Sequence, residues 1–426
     1  MNQHNGGARF EDLGIAPKIL EVLFRHKFTI PTPIQLKSIP PALEGKDLMG
    51  IAQTGTGKTL AFGIPMIQRI AQSQGAAMGL IVLPTRELAV QVHEAMKKIG
   101  SPLGLRTAVL IGGEDMRRQI RSIQQNPHVI IGTPGRLNDH LEGRRLSLER
   151  VSIVVLDEAD RMLDMGFAPQ IQRILKNVPA KRQTLLFSAT MPHEVVKIAQ
   201  SYMSLPLRIE VAPMGSTAEG VDQEVYFVKN TEKLSLLSTI LSEYKGSVLV
   251  FCRTKYSVKK ITHALKGLNE RAAEIHSNRT LNQRLAALEG FKIGKYRVLV
   301  ATDIAARGID VKGIQLVINY DLPENPEDYV HRIGRTGRAG LTGHAISFAT
   351  FEQKKDIAQI ELLIKKVIRP SRTPELKKIE PALFESSSHA RPFRRQQQPR
   401  QQQQSQRDEH PHGKHPRRRP FRGFRK

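Results

Sequence analysis

Ala52-Gln53-Thr54-Gly55-Thr56-Gly57-Lys58-Thr59 is the stretch that decides the fold. Residues 47–52 lead into it as a short apolar strand, and residues 60–70 follow it as an apolar helix. A glycine-rich loop between strand and helix, ending in Lys-Thr, is the context a phosphate-binding P-loop requires. Glycines let backbone N–H groups turn towards phosphates, and the N-terminus of the next helix favours negative charge. The loop residues Thr54, Gly55, Thr56 and Gly57 form the cradle. Lys58 can reach the β and γ phosphates of a nucleotide, and the Thr59 hydroxyl can ligate Mg²⁺. The strict pattern begins with Gly, where this chain has Ala52.

A second element stands about 100 residues later. Val151-Ser152-Ile153-Val154-Val155-Leu156 reads as a buried strand, and it ends in Asp157-Glu158-Ala159-Asp160. Acids at the C-terminal end of a parallel strand sit where ligands bind in α/β sheets. Asp157 can hold Mg²⁺, and Glu158 can orient or deprotonate an attacking water. Asp-Glu after an apolar run also commonly opens a helix. Its pairing with the P-loop makes the nucleotide reading specific.

Working outward, short apolar runs alternate with helical stretches from residue 46 to residue 349. Runs at 47–52, 80–83, 151–156 and 184–187 form one series, and runs at 221–228, 247–251, 297–301 and 316–320 a second. β-rich runs separated by helices predict parallel sheets covered on both faces, so the fold class is α/β with two tandem domains. The expected boundaries are 1–211, a small polar linker at 212–220, a second domain at 221–368, and a tail at 369–426. Residues 386–426 carry twelve Lys/Arg against two acids, with a Gln-rich stretch at 396–406. That composition cannot bury a core, so the tail is expected to be disordered.

The 426 residues carry a formal charge of +25, of which residues 386–426 supply +10. The two domains therefore remain basic, which favours a polyanionic partner, nucleic acid before an acidic membrane. The single cysteine, Cys252, excludes a disulfide within the chain. No apolar run approaches the ~18 residues needed to span a bilayer. The polar N-terminal residues 1–8 lack a signal region. A soluble, cytoplasmic and monomeric protein is expected.

On these motifs the chain resembles the DEAD-box RNA helicases of bacterial type, whose name spells Asp157-Glu158-Ala159-Asp160. The resemblance runs from about residue 10 to about residue 350, with the motifs in family order. It implies two RecA-like domains and ATP hydrolysis coupled to local RNA unwinding. It assigns Gln35 to the adenine edge and Phe28 to base stacking, with Phe10 supporting that segment. It makes Pro84, Thr85, Arg86, Gly112, Gly113, Thr133, Pro134, Gly135 and Arg136 the RNA surface of the first domain. In the second domain it adds Arg253, Thr254, Arg284 and Thr302. These are groups suited to a sugar–phosphate backbone rather than to base edges. Ser188 and Thr190, within reach of Asp160, would couple hydrolysis to unwinding, as would His331 and Arg332. Arg335 and Arg338 would reach the γ-phosphate, and Gly308 and Asp310 would lie near the ribose and phosphates.

Three positions depart from the family pattern. Lys27 stands where many members have Gly, Leu281 stands where Gln is usual, three residues ahead of Arg284, and Ser277 stands where Gly usually follows the histidine, here His276. Two other readings stay open on the sequence. One is a translocating DNA helicase, against which the Gln35 segment counts. The other is an ATP-gated RNA clamp or annealing chaperone, kept open by the basic tail. Ribosome assembly, messenger decay and cold adaptation would all use this core.

Overall fold

Along the strand Val151–Asp157, Ile153 and Val155 join one apolar cluster while Val154 and Leu156 join another. A strand apolar on both faces belongs between two layers of helices. The same alternation runs through the second half of the chain. There Leu249, Leu299 and Val317 face one cluster, and Val248, Val298 and Leu316 face the other. The computed structural model describes residues 8–52, 55–73, 78–211, 220–306, 314–337 and 343–376.

The first lobe contains β1 (Leu48–Ile51), β2 (Met78–Val82), β3 (Thr107–Leu110), β4 (Val129–Gly132), β5 (Val151–Asp157), β6 (Gln183–Ser188) and β7 (Leu207–Glu210). They pair in parallel in the order β3-β4-β2-β5-β6-β1-β7. The second lobe contains β8 (Val221–Phe227), β9 (Val248–Phe251), β10 (Ala272–Ile275), β11 (Val298–Ala301), β12 (Leu316–Asn319), β13 (Gly343–Ala349) and β14 (Arg369–Ser371). Their order is β10-β11-β9-β12-β13-β8-β14, again parallel throughout. Counted from each lobe's first strand, the two orders are the same. The chain is two tandem RecA-like sheets built on one plan.

All eight apolar runs expected to be strands are strands. Six further strands were not anticipated, among them β3, β4 and β10, which are only four residues long. The boundary at 369 needs correction. Residues 369–371, expected to begin the tail, form edge strand β14 against Glu224–Tyr226 of β8. The Ser371 hydroxyl fastens it by donating to Glu224 Oε2 at 2.7 Å. Residues 212–219 of the expected linker and residues 377–426 of the expected tail lie outside the described residues. Among the described residues, no helix is long and apolar enough to cross a membrane.

The first departure has a backbone explanation. Helix Pro17–Arg25 ends in a Schellman turn, with Phe28 N donating to Leu23 O and Lys27 N to Phe24 O. Lys27 takes the left-handed position of that turn, at φ +61°. A side chain there costs about 1–2 kcal/mol, which is why glycine is the usual occupant. Lys27→Gly is therefore expected to stabilise the first lobe by about 1 kcal/mol, after the greater freedom of glycine in the unfolded chain is deducted. Urea unfolding checks this, and an unchanged or lower midpoint would contradict it.

Candidate nucleotide and RNA interface

The strand order brings distant motifs together. The P-loop follows β1, Asp157 ends β5, and Ser188 ends β6, which lies between them. Ile51 is in register with Ser188, and Asp157 with Phe187. The three motifs thus open at the same C-terminal edge of the sheet, where α/β proteins bind ligands.

Gly55 and Gly57 take φ of +88° and +92°, conformations that strain any other residue. Gly57 is fixed by space as well. A β-carbon there would come within 2.4 Å of the Gln35 amide nitrogen. That nitrogen donates to Gly57 O at 3.0 Å, while Gln35 Oε1 accepts from Thr32 N at 2.9 Å. The residue expected at the adenine edge is therefore in direct contact with the phosphate loop. Phe28 is half-buried, with Lys98 Nζ 5.6 Å from its ring centre. Phe10 is buried in the core of the lobe. Lys58 is buried and folded across the loop, donating to Ala52 O at 3.0 Å and standing 3.6 Å from Asp157 Oδ1. Thr56 and Thr59 are half-buried. Thr54 lies outside the described residues.

Glu158 is buried with φ +55° and ψ +50°, a left-handed conformation rare for a residue with a side chain. Its N–H donates to Asp157 Oδ1 at 2.9 Å, which helps hold the turn. Its carboxylate is ion-paired with Arg161 at 2.7 Å. Burial opposes charge on both acids, with different outcomes. In Asp157, burial and the neighbouring charge of Glu158 prevail over the pull of Lys58, pushing the carboxyl up to about 6. In Glu158, burial is outweighed by Arg161, Lys58 and Arg335, which hold the carboxyl well below the usual range. Arg335 belongs to the second lobe, so Glu158 feels a cation from across the cleft. Arg161 was not anticipated from sequence. The signal was its spacing of three from Glu158 on a helical segment. Burial works against its charge, but Glu158, Asp160 and Asp328 of the second lobe more than offset this. Arg161 lines one cleft with Asp328, His331, Arg332 and Arg335.

Asp160 ties β5 to β6. Its Oδ2 accepts from Ala189 N at 3.0 Å, Thr190 N at 2.8 Å and the Thr190 hydroxyl at 3.0 Å. Its own N–H donates to Ser188 Oγ at 3.1 Å. Movement of one strand end must therefore carry the other. In the second lobe, Arg332 is buried and bidentate on Asp303, at 2.5 and 2.7 Å, and also donates to Asn319 Oδ1 and Asp321 O. Its guanidinium lies 5.1 Å from the Phe251 ring centre. Arg332 thus knits the ends of β9, β11 and β12 together, with His331 beside it at 4.0 Å from Asp328. Arg335 follows one turn later and is buried. Gly308, Asp310 and Arg338 lie outside the described residues.

The remaining motifs occupy the other half of each sheet. Residues 84–86 follow β2, Gly112 and Gly113 follow β3, and residues 133–136 follow β4, the three strands that form one side of the first sheet. Pro84 and Thr85 are buried, and the Thr85 hydroxyl caps the next helix by accepting from Leu88 N. The Arg86 guanidinium lies across the glycine pair. A β-carbon on Gly113 would fall 2.3 Å from it, so the pair makes room for this arginine. Thr133 is buried, Pro134 opens helix Pro134–Glu142, and the space above Gly135 is open. Arg136 donates to Glu114 O at 3.2 Å. In the second sheet, Arg253 and Thr254 follow β9, and Thr302 follows β11. Thr254 caps helix Lys255–Gly267, and Arg253 N donates to Asp321 Oδ2 at 3.0 Å. Arg284 reaches across to the first lobe, where its Nη2 stands 2.7 Å from Glu87 Oε1. Glu87, Asp303 and Asp321 were also not anticipated. Each is an acid whose partner comes from a distant part of the chain.

A P-loop facing an acidic strand end, on the first of two matched parallel sheets, defines a tandem RecA-like P-loop protein. Residues 32–198 match the DEAD/DEAH box helicase family, and residues 232–340 match the helicase conserved C-terminal domain. The chain belongs to the DEAD/DEAH box helicase family. It is 46% identical over 367 residues to the ATP-dependent RNA helicase CshA of Listeria monocytogenes, covering 86% of this chain and 71% of that one. It is 44% identical over 368 residues to the DEAD-box ATP-dependent RNA helicase CshA of Geobacillus kaustophilus, covering 86% and 79%. Among solved structures, S. cerevisiae Dbp5 bound to RNA and ADP BeF3 is 30% identical, with a TM-score of 0.77 over 85% of this chain and 95% of that one. Mss116 bound to ssRNA and UDP-BeF is 28% identical, with a TM-score of 0.80 over 88% and 81%.

Proposed function

We propose that this chain is an ATP-dependent RNA helicase that hydrolyses ATP to ADP and phosphate and opens RNA duplexes locally. The observation that carries the reading is the cleft in which Arg161, the ion-pair partner of Glu158, meets Asp328, His331, Arg332 and Arg335 of the second lobe. A hydrolytic site completed by a facing lobe makes chemistry depend on closure, and closure is what RNA bound across both lobes would promote.

The steps follow from the residues. The phosphates of ATP take the cradle of Thr54, Gly55, Thr56 and Gly57. Lys58 exchanges Ala52 O for the β and γ phosphates. Gln35 reads the adenine edge while holding Gly57, so recognition of the base steadies the phosphate loop, and Phe28 stacks on the base. Thr59 and Asp157 offer hard oxygen donors that fit Mg²⁺, which would neutralise phosphate charge. The fit is supported by the buried, charge-averse state of Asp157, which a cation would relieve. Glu158, held ionised by its cationic neighbours, orients the attacking water. Arg335 and Arg338 stabilise charge on the γ-phosphate, with Gly308 and Asp310 near the ribose. The Asp160–Ser188–Thr190 network, with His331 and Arg332 facing it, passes the state of the nucleotide to the RNA side.

RNA runs over Pro84, Thr85, Arg86, Gly112, Gly113, Thr133, Pro134, Gly135 and Arg136, then over Arg253, Thr254 and Thr302. Arg284 serves this path through its ion pair with Glu87. Backbone-directed contacts of this kind give little sequence preference. The division into domains at 1–211 and from 221, joined by the 212–220 linker, suits RNA bound across two lobes. A monomer acting in the cytoplasm, with ribosomal or RNA-decay partners, completes the reading.

The deciding assay compares ATP hydrolysis with RNA, with DNA and with neither, together with duplex separation in ATP and in a non-hydrolysable analogue. Stimulation by DNA alone, or no separation of RNA strands in ATP, would overturn the proposal. The tail is expected to add affinity through counterion release. Deleting residues 386–426 should weaken RNA binding by about tenfold or more at low salt and flatten its salt dependence, with basal ATP hydrolysis kept. Unchanged affinity at low salt would refute that role.

A further inference from the structure

The second departure from the family pattern, Leu281, lies at the contact between the lobes. Helix Leu281–Lys292 of the second lobe lies against helix Arg86–Gly100 of the first. The Thr280 hydroxyl caps the former by accepting from Gln283 N at 3.3 Å, which fixes Leu281 at the first helical position. Leu281 is only 5% exposed, and it is buried in the apolar cluster of the first lobe rather than in that of its own. Leu285, one turn further along, packs against the same cluster. Leu288 and Phe291, on the other side of the helix, join the second lobe's own core. One face of the helix therefore serves the second lobe and the other grips the first.

Arg284 sits between the two leucines, with Glu87 at 2.7 Å. A buried ion pair roughly offsets its own desolvation, whereas apolar surface gains in proportion to the area removed from water. The net attraction at this contact therefore comes from Leu281 and Leu285, with the ion pair setting register. A glutamine at 281 would bring an amide into the same apolar surroundings, where it would cost free energy unless it found a partner.

We propose that Leu281 is a positioning residue that latches the lobes together by burying apolar surface against the first lobe. Closure then draws on the protein's own apolar contact and needs less from RNA. The proposal rests on the helicase reading in one respect, that the closed arrangement is the hydrolytic one.

Two variants test it, Leu281→Gln and the volume-conserving Leu281→Met. With Leu281→Gln, the RNA concentration for half-maximal ATP hydrolysis should rise about tenfold, while kcat at saturating RNA stays within about twofold. Leu281→Met should match the wild type. Closure is read separately by energy transfer between dyes on S101C and K266C, one in each lobe, since the native Cys252 is buried. With AMP-PNP and poly(U), wild type and Leu281→Met should close at similar RNA concentrations, and Leu281→Gln at about tenfold more. Equal closure in wild type and Leu281→Gln would overturn the latch. So would a fall in kcat with half-saturation unchanged, which is what general damage to the lobe produces, or a wild type that stays open under both ligands. If the wild type closes but RNA does not stimulate hydrolysis, the helicase reading fails and the closure data still judge the latch.

Discussion

Glu158→Gln, and separately Lys58→Ala, is expected to lower RNA-stimulated ATP hydrolysis by at least about 10³-fold. Glu158 is held ionised in a buried site by Arg161, Lys58 and Arg335, the charged state that orienting an attacking water requires. Glutamine keeps the volume and removes that charge. Loss of that charge also leaves Arg161 buried with one partner fewer. Breaking one side of a buried pair can cost ~3–5 kcal/mol. Asp160 and Asp328 share the field of Arg161, so the fold should survive. A thermal melt beside the assay separates a damaged fold from lost chemistry. For Lys58 the argument is complementary. Its removal leaves Asp157 without its nearest cation, 3.6 Å away, so burial and Glu158 push that carboxyl higher still. The site then loses its phosphate ligand, and Asp157 becomes harder to ionise. Steady-state phosphate release with saturating RNA is the measurement, and full activity in either folded variant would sink the assignment.

Arg335→Ala should produce a loss of similar size by another route. A guanidinium brought to a γ-phosphate by a facing domain is worth about 10³–10⁵ in kcat. Arg335 lies on the second lobe, whereas the phosphate loop and the Gln35 segment lie on the first. Equilibrium binding of a fluorescent ATP analogue should therefore change by less than about tenfold while kcat falls at least about 10³-fold. Arg335→Lys should restore little, because an ammonium lacks the planar fork that spans two phosphate oxygens. A loss confined to nucleotide affinity, with kcat preserved, would remove Arg335 from the hydrolytic step.

Both predictions concern residues that local sequence already marked. A glycine-rich turn followed by Lys-Thr, and an apolar run ending in acids, are each complete within ten residues, so their chemistry is legible without a fold. Glu87, Asp303 and Asp321 were not legible. Their roles depend on Arg284, Arg332 and Arg253, partners that no local spacing reveals. Glu158 is an intermediate case. Its identity was plain, but its left-handed backbone, which aims the carboxylate at Arg161, belongs to the folded turn. The short strands β3, β4 and β10 escaped notice because four residues are too few for periodicity to separate strand from loop.

Sequence alone determined that this chain is α/β with two repeated sheets, that its first sheet carries a P-loop and an acidic strand end, and that its charge favours a polyanion. Those conclusions rest on local patterns of side-chain type, which report how one segment meets its immediate surroundings. Only the tertiary structure decided that the P-loop, Asp157 and Ser188 share the β5–β6–β1 half of the first sheet while the motifs expected to meet the RNA backbone share the β3–β4–β2 half. It also decided that the second lobe repeats this plan, that Lys27 occupies a position made for glycine, and that Leu281 is buried in the apolar cluster of the opposite lobe. The physical reason is that strand order and lobe contacts are set by pairings between distant segments. Their free energy depends on which surfaces meet, and a single stretch of chain does not contain both surfaces.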